Sequence, residues 1–324
     1  MALPPLFDRL RLPVIGSPLF IISVPDLVIA QCKAGIVGSF PALNARPQSL
    51  LDEWLHRITE ELAAWDRANP DAPSAPFAVN QIVHRSNDRL EADLHTYAKW
   101  KVPIVITSLG ARPELNDAVH SWGGITLHDV IDDRFAHKAV EKGADGLILV
   151  ATGAGGHAGV LNPFAFVQEV RDWFDGPLIL SGAIATGRAV LAAQVMGADL
   201  AYIGSPFIAT PEARCSDGYR QAIVEGGAAD IVNSALFTGI AGNYLRSSIE
   251  RSGLDPDALD KIEKLSTEFG SEGSSRSKAW RDIWGSGQGI GAITQVQPAA
   301  DYIDQLAREY EEARARLCGA TPGR

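Results

Sequence analysis

Short apolar runs alternate with longer amphipathic segments along most of the chain. Residues 103–107 (PIVIT) and 146–150 (GLILV) are continuous apolar runs with the length of a buried strand. Residues 47–68 instead carry apolar side chains at intervals that fall on one face of a helix, and these are Leu51, Leu55, Ile58, Leu62 and Trp65. Because continuous apolar strands separated by helices are buried on both faces, the pattern predicts a parallel sheet covered by helices.

Eight such strand–helix pairs follow one another in the sequence. The predicted strands are residues 14–19, 35–40, 77–83, 103–107, 124–127, 146–150, 177–180 and 200–203. The eighth pair ends with a predicted helix at residues 218–225. Eight pairs at this spacing predict an α/β fold of the (β/α)8 TIM-barrel type. An open, doubly wound sheet is the rival fold, and eight successive pairs are many for it.

The pattern changes after the eighth pair. Residues 228–248 look helical although two glycines interrupt them, and residues 298–316 predict a closing charged helix. We therefore expect a barrel formed by residues 1–227. We expect residues 228–324 to form a mainly helical extension that packs over the barrel mouth and does not fold independently.

Composition and charge narrow the class of protein. The 324 residues carry a formal net charge of −10, so the surface repels nucleic acid and anionic membranes. No apolar stretch approaches the roughly 20 residues that span a bilayer, and from the pattern of the first residues we expect no signal peptide. Cys32, Cys215 and Cys318 are far apart, which argues against a disulfide framework or a cysteine zinc site. We expect a cytoplasmic protein with a small-molecule partner. The sequence does not decide whether it is a monomer or a homodimer.

The loop after the sixth predicted strand contains an unusual cluster of glycines around one histidine. In TIM barrels the chemistry sits in the loops that follow the strands. Residues 151–159 (ATGAGGHAG) include His157, and histidine is the side chain best suited to move protons near neutral pH. The glycines allow positive φ values and close approach of the backbone to a ligand. Taken alone, a flexible loop with an incidental histidine explains the segment equally well.

The loops after the seventh and eighth predicted strands are rich in small residues. Residues 181–184 (SGAI) and 204–207 (GSPF) each lead towards a helix. Backbone N–H groups at helix N-termini bind phosphate, and the last two loops of barrels often form such a site. The small residues have an alternative explanation, because two tight turns without a ligand would also require them. Because both loops follow the appropriate strands, together they favour a cofactor that carries a phosphate.

Two further histidines and two tryptophans are weaker candidates. His84 follows the third strand and could bind an anionic substrate, although a solvated loop is the better supported interpretation. His128 ends the fifth strand beside Asp129 and is a candidate polar partner or second acid–base group. Trp280 and Trp284 have helical spacing, which favours a role as anchors of the tail in a core.

Six motifs, in order along the chain, carry a resemblance to a known family. They are residues 16–20, 77–80, 154–159, 181–184, 202–207 and 286–289. On these motifs the chain resembles the nitronate monooxygenase (2-nitropropane dioxygenase-like) family of FMN-dependent barrels. The resemblance runs from about residue 10 to the C-terminus and implies FMN at the C-terminal mouth of the barrel.

The resemblance also implies roles for individual residues. The cofactor-binding residues that it implies are Pro18, Leu19, Phe20, Asn80, Gly155, Gly156, Ser181, Gly182, Ala183, Gly204, Ser205 and Gln288. Those in residues 18–20 would line the flavin ring, Asn80 would hydrogen-bond the ring or ribityl chain, and Gln288 would close over it. The residues near 181–183 and 204–205 would hold the phosphate. His157 would take the α-proton of a nitroalkane, or orient a substrate supplied as nitronate, and the reduced flavin would pass electrons to O2.

Departures from the family pattern leave the substrate open. Ala183 stands in place of a second glycine, Leu19 replaces methionine, and residues 205–206 read Ser-Pro instead of Thr-Arg. The first hypothesis is oxidation of alkyl nitronates or nitroalkanes with O2. The second is an FMN-dependent NAD(P)H reductase of a quinone, enone or enoyl thioester, although the sequence contains no separate dinucleotide fingerprint. The third is a non-catalytic barrel that binds a phosphorylated metabolite.

Overall fold

Eight parallel strands close into a barrel. The computed structural model describes residues 3–259 and 283–319. The barrel strands are β1 (Val14–Gly16), β2 (Gly38–Pro41), β3 (Phe77–Ile82), β4 (Ile104–Ser108), β5 (Ile125–Val130), β6 (Gly146–Val150), β7 (Leu178–Ser181) and β8 (Leu200–Ile203). Neighbours pair in parallel, β1 pairs with β8, and a bridge between Ile15 and Val37 joins β1 to β2. The predicted TIM barrel is confirmed, and each predicted strand overlaps an observed one.

Helices alternate with the strands on the outside of the barrel. They are α1 (Pro25–Lys33), α2 (Leu50–Ala68), α3 (Leu90–Trp100), α4 (Pro113–Ser121), α5 (Asp133–Glu141), α6 (Pro163–Arg171) and α7 (Gly187–Met196). The starts of three of them are fixed locally, because the side chains of Asp132, Asn162 and Thr186 accept hydrogen bonds from the first turns of α5, α6 and α7. The described residues also contain α8 (Ser205–Ile208), α9 (Asp217–Glu225), α10 (Arg246–Arg251) and α11 (Ala299–Leu317).

The helix that packs between α7 and α1 comes from the C-terminal end of the described chain. α11 contacts both of these helices, whereas the helix that follows β8 in sequence, α9, contacts α8 and residues 288–292. The Tyr302 hydroxyl donates to the Ala185 carbonyl at 2.9 Å, and a Cβ at Gly187 would lie 2.1 Å from the Leu306 carbonyl oxygen. Part of the predicted extension therefore lies on the outer layer of the barrel. The predicted boundary between barrel and extension at residue 227 stays a prediction.

The inside of the barrel changes from apolar to polar towards its C-terminal mouth. Its apolar cluster includes Ala78, Ile106, Leu127 and Ile179. Since side chains alternate along a strand, the residues two positions further on also point inwards. These residues are Asn80, Ser108, Asp129 and Ser181. A polar layer therefore lies above the apolar core, where ligands bind in this fold.

Residues 228–245 do not form the predicted helix. A turn at Ala228–Asp230 leads into β9 (Ile231–Ser234), which pairs antiparallel with β10 (Gly242–Leu245). β10 also pairs with the two-residue strand Gly156–His157 in the loop after β6. The prediction was wrong because the segment pairs as a hairpin, and pairs again with the loop that contains His157, instead of forming helical hydrogen bonds. Within residues 228–251 the one α-helix is α10, and no helix in the described ranges is long and apolar enough to cross a membrane.

Candidate functional site

A cavity of about 260 Å³ lies at the C-terminal mouth of the barrel. Its walls are formed by residues 17–22 after β1, 153–157 after β6, 181–184 around the end of β7, 204–206 after β8, and four residues of a late segment, namely Trp284, Gly285, Gly287 and Gly289. Many of the sequence-predicted residues line it, namely Pro18, Leu19, Phe20, Gly155, Gly156, His157, Ser181, Gly182, Ala183, Gly204 and Ser205. The structure thus brings residues of five of the six sequence motifs to one cavity.

Two other predicted cofactor residues, Asn80 and Gln288, are not among those that line the cavity. Asn80 is buried at the end of β3, where its amide donates to the Ile106 carbonyl at 3.1 Å and to the Ser108 hydroxyl at 2.7 Å. The backbone N–H of Gln288 donates to the Gly153 carbonyl at 2.9 Å. Gln288 therefore holds the loop around Gly153, and Asn80 belongs to a hydrogen-bonded network inside the barrel.

Neither of the two weaker histidine candidates lines the cavity. His84 is exposed in the loop after β3, with its Nδ1 2.8 Å from the Ser86 hydroxyl, which matches the solvated-loop interpretation. His128 points away from the barrel axis, because Leu127 and Asp129 on either side point inwards, and it contacts Thr107. Burial lowers the pKa of His128 to about 4, so its ring is neutral near pH 7.

The inward-facing group at the end of β5 is Asp129. Its Oδ2 accepts a hydrogen bond from the Ser108 hydroxyl at 2.5 Å, and Ser108 in turn accepts from Asn80. Burial raises the pKa of Asp129 to about 6, although the bond from Ser108 opposes this rise. Burial raises the pKa of Tyr202, which lines the cavity, and the Asp129 carboxyl adds to this rise. Sequence reasoning considered His128 first, and strand alternation would have identified Asp129.

We expect His128 and Asp129 to have opposite effects on stability between about pH 4 and pH 6. In the unfolded chain His128 titrates near 6.5, but near 4 in the fold, so its contribution to stability is lost as pH falls through this window. Asp129 titrates near 3.8 when unfolded and near 6 in the fold, so its contribution is lost as pH rises through the same window. The two slopes largely cancel in the wild type.

The matched variants His128→Gln and Asp129→Asn separate these contributions. Relative to wild type, the unfolding free energy of H128Q should fall with rising pH by about 1 kcal/mol per unit, and that of D129N should rise by a similar amount. Urea unfolding at several pH values between 4 and 6 measures both slopes. Parallel curves for the two variants would contradict the assigned environments.

The turn after β7 is a strained segment of the cavity wall. Gly182 has φ 137° and Ala183 has φ 54°, values that L side chains rarely adopt. A Cβ at Gly182 would lie 2.7 Å from the Thr152 carbonyl oxygen. The Ala183 N–H donates to the Gly153 carbonyl at 3.3 Å, which ties this turn to the histidine loop. Backbone strain of this kind persists only where surrounding contacts hold it, and it is concentrated at ligand sites.

The segment at residues 285–289 is joined to the loop after β8. The Gly287 N–H donates to the Ser205 hydroxyl oxygen at 2.8 Å. A Cβ at Gly287 would lie 2.6 Å from the Gly153 carbonyl oxygen, and one at Gly289 would lie 3.0 Å from the Ala183 carbonyl oxygen. The glycines of this late motif are therefore needed for close backbone packing against the cavity walls.

His157 is held in place by the β9–β10 hairpin. It pairs with Gly242, and its Nε2 lies 3.0 Å from the Thr238 hydroxyl oxygen. The Asn243 side chain donates to the Ala154 carbonyl at 2.6 Å, which fixes the start of the same loop. Burial lowers the pKa of His157, so its imidazole is neutral and able to accept a proton near pH 7. The loop is therefore an anchored segment that presents an imidazole to the cavity.

An aromatic pair that the sequence did not assign to the site forms part of the cavity wall. Tyr219 and Trp284 both line the cavity, and their rings stack at 4.8 Å between centroids with an interplanar angle of 7°. The Tyr219 hydroxyl donates to the Gly285 carbonyl at 2.5 Å. Trp284 is buried, as its predicted anchoring role requires, and it also contributes to the cavity. Trp280 lies outside the described residues.

Comparisons with known proteins agree with this architecture. A nitronate monooxygenase from Paraburkholderia phytofirmans is 25% identical over 94% of this chain and 94% of its own length. The nitroalkane oxidase of Streptomyces ansochromogenes covers 97% of this chain and all of its own, with 22% identity and a TM-score of 0.78. FabK from Thermotoga maritima covers 98% of this chain and 99% of its own, with 22% identity and a TM-score of 0.77. The two structural likenesses bear on the fold alone.

A protein-family model decides to which family the chain belongs, because it matches the whole barrel and the motif at residues 286–289. The model described as nitronate monooxygenase matches residues 7–309. This range includes every cavity segment, from residue 17 to residue 289. The chain therefore belongs to the nitronate monooxygenase family of oxidoreductases.

Proposed function

We propose that the cavity binds FMN and that the protein oxidises alkyl nitronates or nitroalkanes with O2. The observation that carries this proposal is the convergence of an anchored, neutral imidazole with two small-residue turns on one cavity at the barrel mouth. The family membership supports the same reaction class. A non-catalytic barrel would not need the imidazole at this position.

The residues present fit a flavin mononucleotide. Gly182 lines the cavity, and only a residue without a side chain allows its backbone to pack this closely against the Thr152 carbonyl. Gly182, Gly204 and Ser205 would hold the phosphate, while Pro206 has no N–H to donate. Residues 18–20 would cover the ring with apolar surface. Bound FMN supplies reversible acceptance of electrons from the substrate and their transfer to O2.

His157 would start the reaction of a neutral nitroalkane. The C–H bond next to the nitro group breaks, the proton moves to the imidazole, and the electron pair moves into the nitro group to give the nitronate. A lowered pKa keeps His157 unprotonated and ready for this step. A substrate that arrives as the nitronate needs no proton removal, so His157 would then only orient it. The stacked Tyr219 and Trp284 would exclude water from this side of the cavity.

The competing reductase hypothesis differs in the source of electrons. The fold does not discriminate between the two hypotheses, because the TM-scores to the nitroalkane oxidase and to FabK are 0.78 and 0.77. A reductase would take electrons from NADH or NADPH and would need space for a nicotinamide above the ring. The discriminating observation is which reagent reduces the protein-bound flavin.

Anaerobic mixing tests the proposed function. The purified flavoprotein is mixed separately with propionate 3-nitronate, NADH and NADPH, and the oxidised-flavin absorbance near roughly 450 nm is followed. We expect the nitronate to bleach this band and both nicotinamides to leave it unchanged on the same timescale. Rapid bleaching by a nicotinamide, with none by the nitronate, would replace the proposal with the reductase function.

A further inference from the structure

The loop after β1, which forms one wall of the cavity, contains a residue in a conformation that its side chain disfavours. Residues 17–22 line the cavity, and within them Ile21 has φ 59°. Residues other than glycine rarely adopt this left-handed region, and for a β-branched side chain it is strained. Such a conformation persists only where the surrounding structure holds it. The contacts of this loop therefore show what maintains the shape of the cavity wall.

The side chain of Asn44 makes three hydrogen bonds to the backbone around Ile21. Asn44 ends the turn that follows β2 and is 4% exposed. Its Oδ1 accepts the Ile21 N–H at 2.7 Å, and its Nδ2 donates to the Leu19 carbonyl at 3.0 Å and to the Ser23 carbonyl at 2.8 Å. Because an amide side chain has one accepting oxygen and two hydrogens to donate, one N–H and two carbonyls fix its orientation. Sequence reasoning did not identify this residue, since 23 positions separate it from Ile21.

The same loop is also held by the segment that follows β8. The Arg214 N–H donates to the Ile22 carbonyl and the Arg214 Nε donates to the Ile21 carbonyl, both at 3.0 Å. The strands β2 and β8 are the two neighbours of β1 in the barrel. The loop after β1 is therefore fixed from both sides, and Asn44 provides three of these bonds from the β2 side.

We propose that Asn44 is a positioning residue that holds residues 18–20 in the path that covers the bound flavin. This inference rests on the proposed function, of which it uses only the binding of FMN. Without the amide, Ile21 is free to leave the left-handed region. Leu19 and Phe20 directly precede Ile21 and line the cavity, so this wall of the cavity moves with it. FMN binding must then restore the strained conformation, and part of the affinity is lost.

Removal of the amide tests this role through the affinity for FMN and the spectrum of the bound flavin. We expect Asn44→Ala to weaken FMN binding about 10-fold, which is equivalent to about 1.4 kcal/mol. We also expect a changed visible circular dichroism spectrum, because this signal depends on how the protein surrounds the flavin ring. Titration of the flavin-free protein with FMN provides both measurements.

The matched control is another buried asparagine, placed at the opposite end of the barrel. Asn116 is 2% exposed, and its amide donates to the Lys142 carbonyl at 2.7 Å, in the segment that precedes β6. Asn116→Ala removes a buried amide as Asn44→Ala does. It should keep the FMN affinity and the circular dichroism spectrum of the wild type even where it lowers the unfolding free energy.

A second substitution tests whether strain at Ile21 is the reason for the effect. Glycine adopts positive φ values readily, so Asn44 should matter less in the Ile21→Gly background. We expect Asn44→Ala to weaken FMN binding less than about 3-fold when it is added to Ile21→Gly. An equal loss of affinity in both backgrounds would contradict the role of Asn44 in holding the strained residue.

The outcomes separate the inference from the proposed function. Wild-type affinity and an unchanged spectrum in N44A would refute the positioning role. If N44A does not fold, Asn44→Asp replaces it, because the carboxylate keeps the bond from the Ile21 N–H but donates to neither carbonyl; wild-type affinity and spectrum in N44D would equally refute the role. A wild type that binds FMN but turns over no nitro compound would refute the proposed oxidation alone, and one that binds no FMN would overturn both.

Discussion

Replacement of His157 by alanine should reduce turnover of a neutral nitroalkane by about 100- to 10,000-fold, the range that a general base contributes. Its imidazole lines the cavity, its lowered pKa keeps it neutral, and the hairpin orients it. Turnover of the preformed nitronate should fall much less, because no proton is removed from that substrate. Initial rates of O2 consumption with each form of the same compound measure the difference.

The control for this experiment is a histidine on the barrel exterior. His95 is exposed on α3, so His95→Ala should keep both rates. Equal losses with the nitroalkane and the nitronate in His157→Ala would rule out proton abstraction and leave only a role in substrate binding. Partial recovery of nitroalkane turnover by added imidazole would support the assignment to a missing base.

Alanine at Gly182 should cause the largest loss of flavin binding. The residue has φ 137°, and a Cβ would lie 2.7 Å from the Thr152 backbone carbonyl. This carbonyl belongs to the backbone and cannot turn aside as a flexible side chain would. The turn at Gly182 must therefore shift. We expect flavin affinity to fall at least about 30-fold, equivalent to about 2 kcal/mol. Flavin retained per chain after dialysis, together with a binding titration, measures this loss.

Gly123 provides a matched control for backbone strain without the clash. It has φ 85°, but an added Cβ would meet nothing within 4 Å. Gly123→Ala should therefore lose about 1 kcal/mol of unfolding free energy and keep its flavin. If Gly182→Ala retained flavin as well as the wild type does, the turn after β7 would not contact the cofactor.

The barrel could be predicted from the sequence because its signals are local. Each strand is a short apolar run, and helix starts such as those at Asp132, Asn162 and Thr186 carry their own capping side chains. The glycine-rich loop that contains His157 was recognisable for the same reason. These features depend on residues within a few positions of one another.

Features that depend on distant partners could not be predicted in this way. β10 pairs with the loop that contains His157 as well as with β9, and α11 takes its place beside α7 through contacts such as the Tyr302 bond to Ala185. The cavity contact of Trp284 likewise depends on stacking against Tyr219. No local pattern reports any of these pairings.

At the end of β5 the sequence pointed to His128, but the side chain that faces the inside of the barrel is that of the next residue, Asp129. His128 and Asp129 are adjacent, so they point to opposite sides of the strand. The sequence identified the pair but favoured the histidine, whereas the structure directs the carboxyl towards Ser108 and the barrel axis. Register within a strand decides which side chain reaches a site, and it follows from the inward position of Leu127.

The most direct measurement is the identity and amount of the bound cofactor. The purified protein is denatured, and the released chromophore is separated by chromatography beside FMN and FAD standards and quantified against the chain. We expect FMN, at about one molecule per chain in the fully loaded protein. Release of FAD, or a protein that neither carries flavin nor binds added FMN, would contradict the assignment of the cavity and of His157 to flavin chemistry.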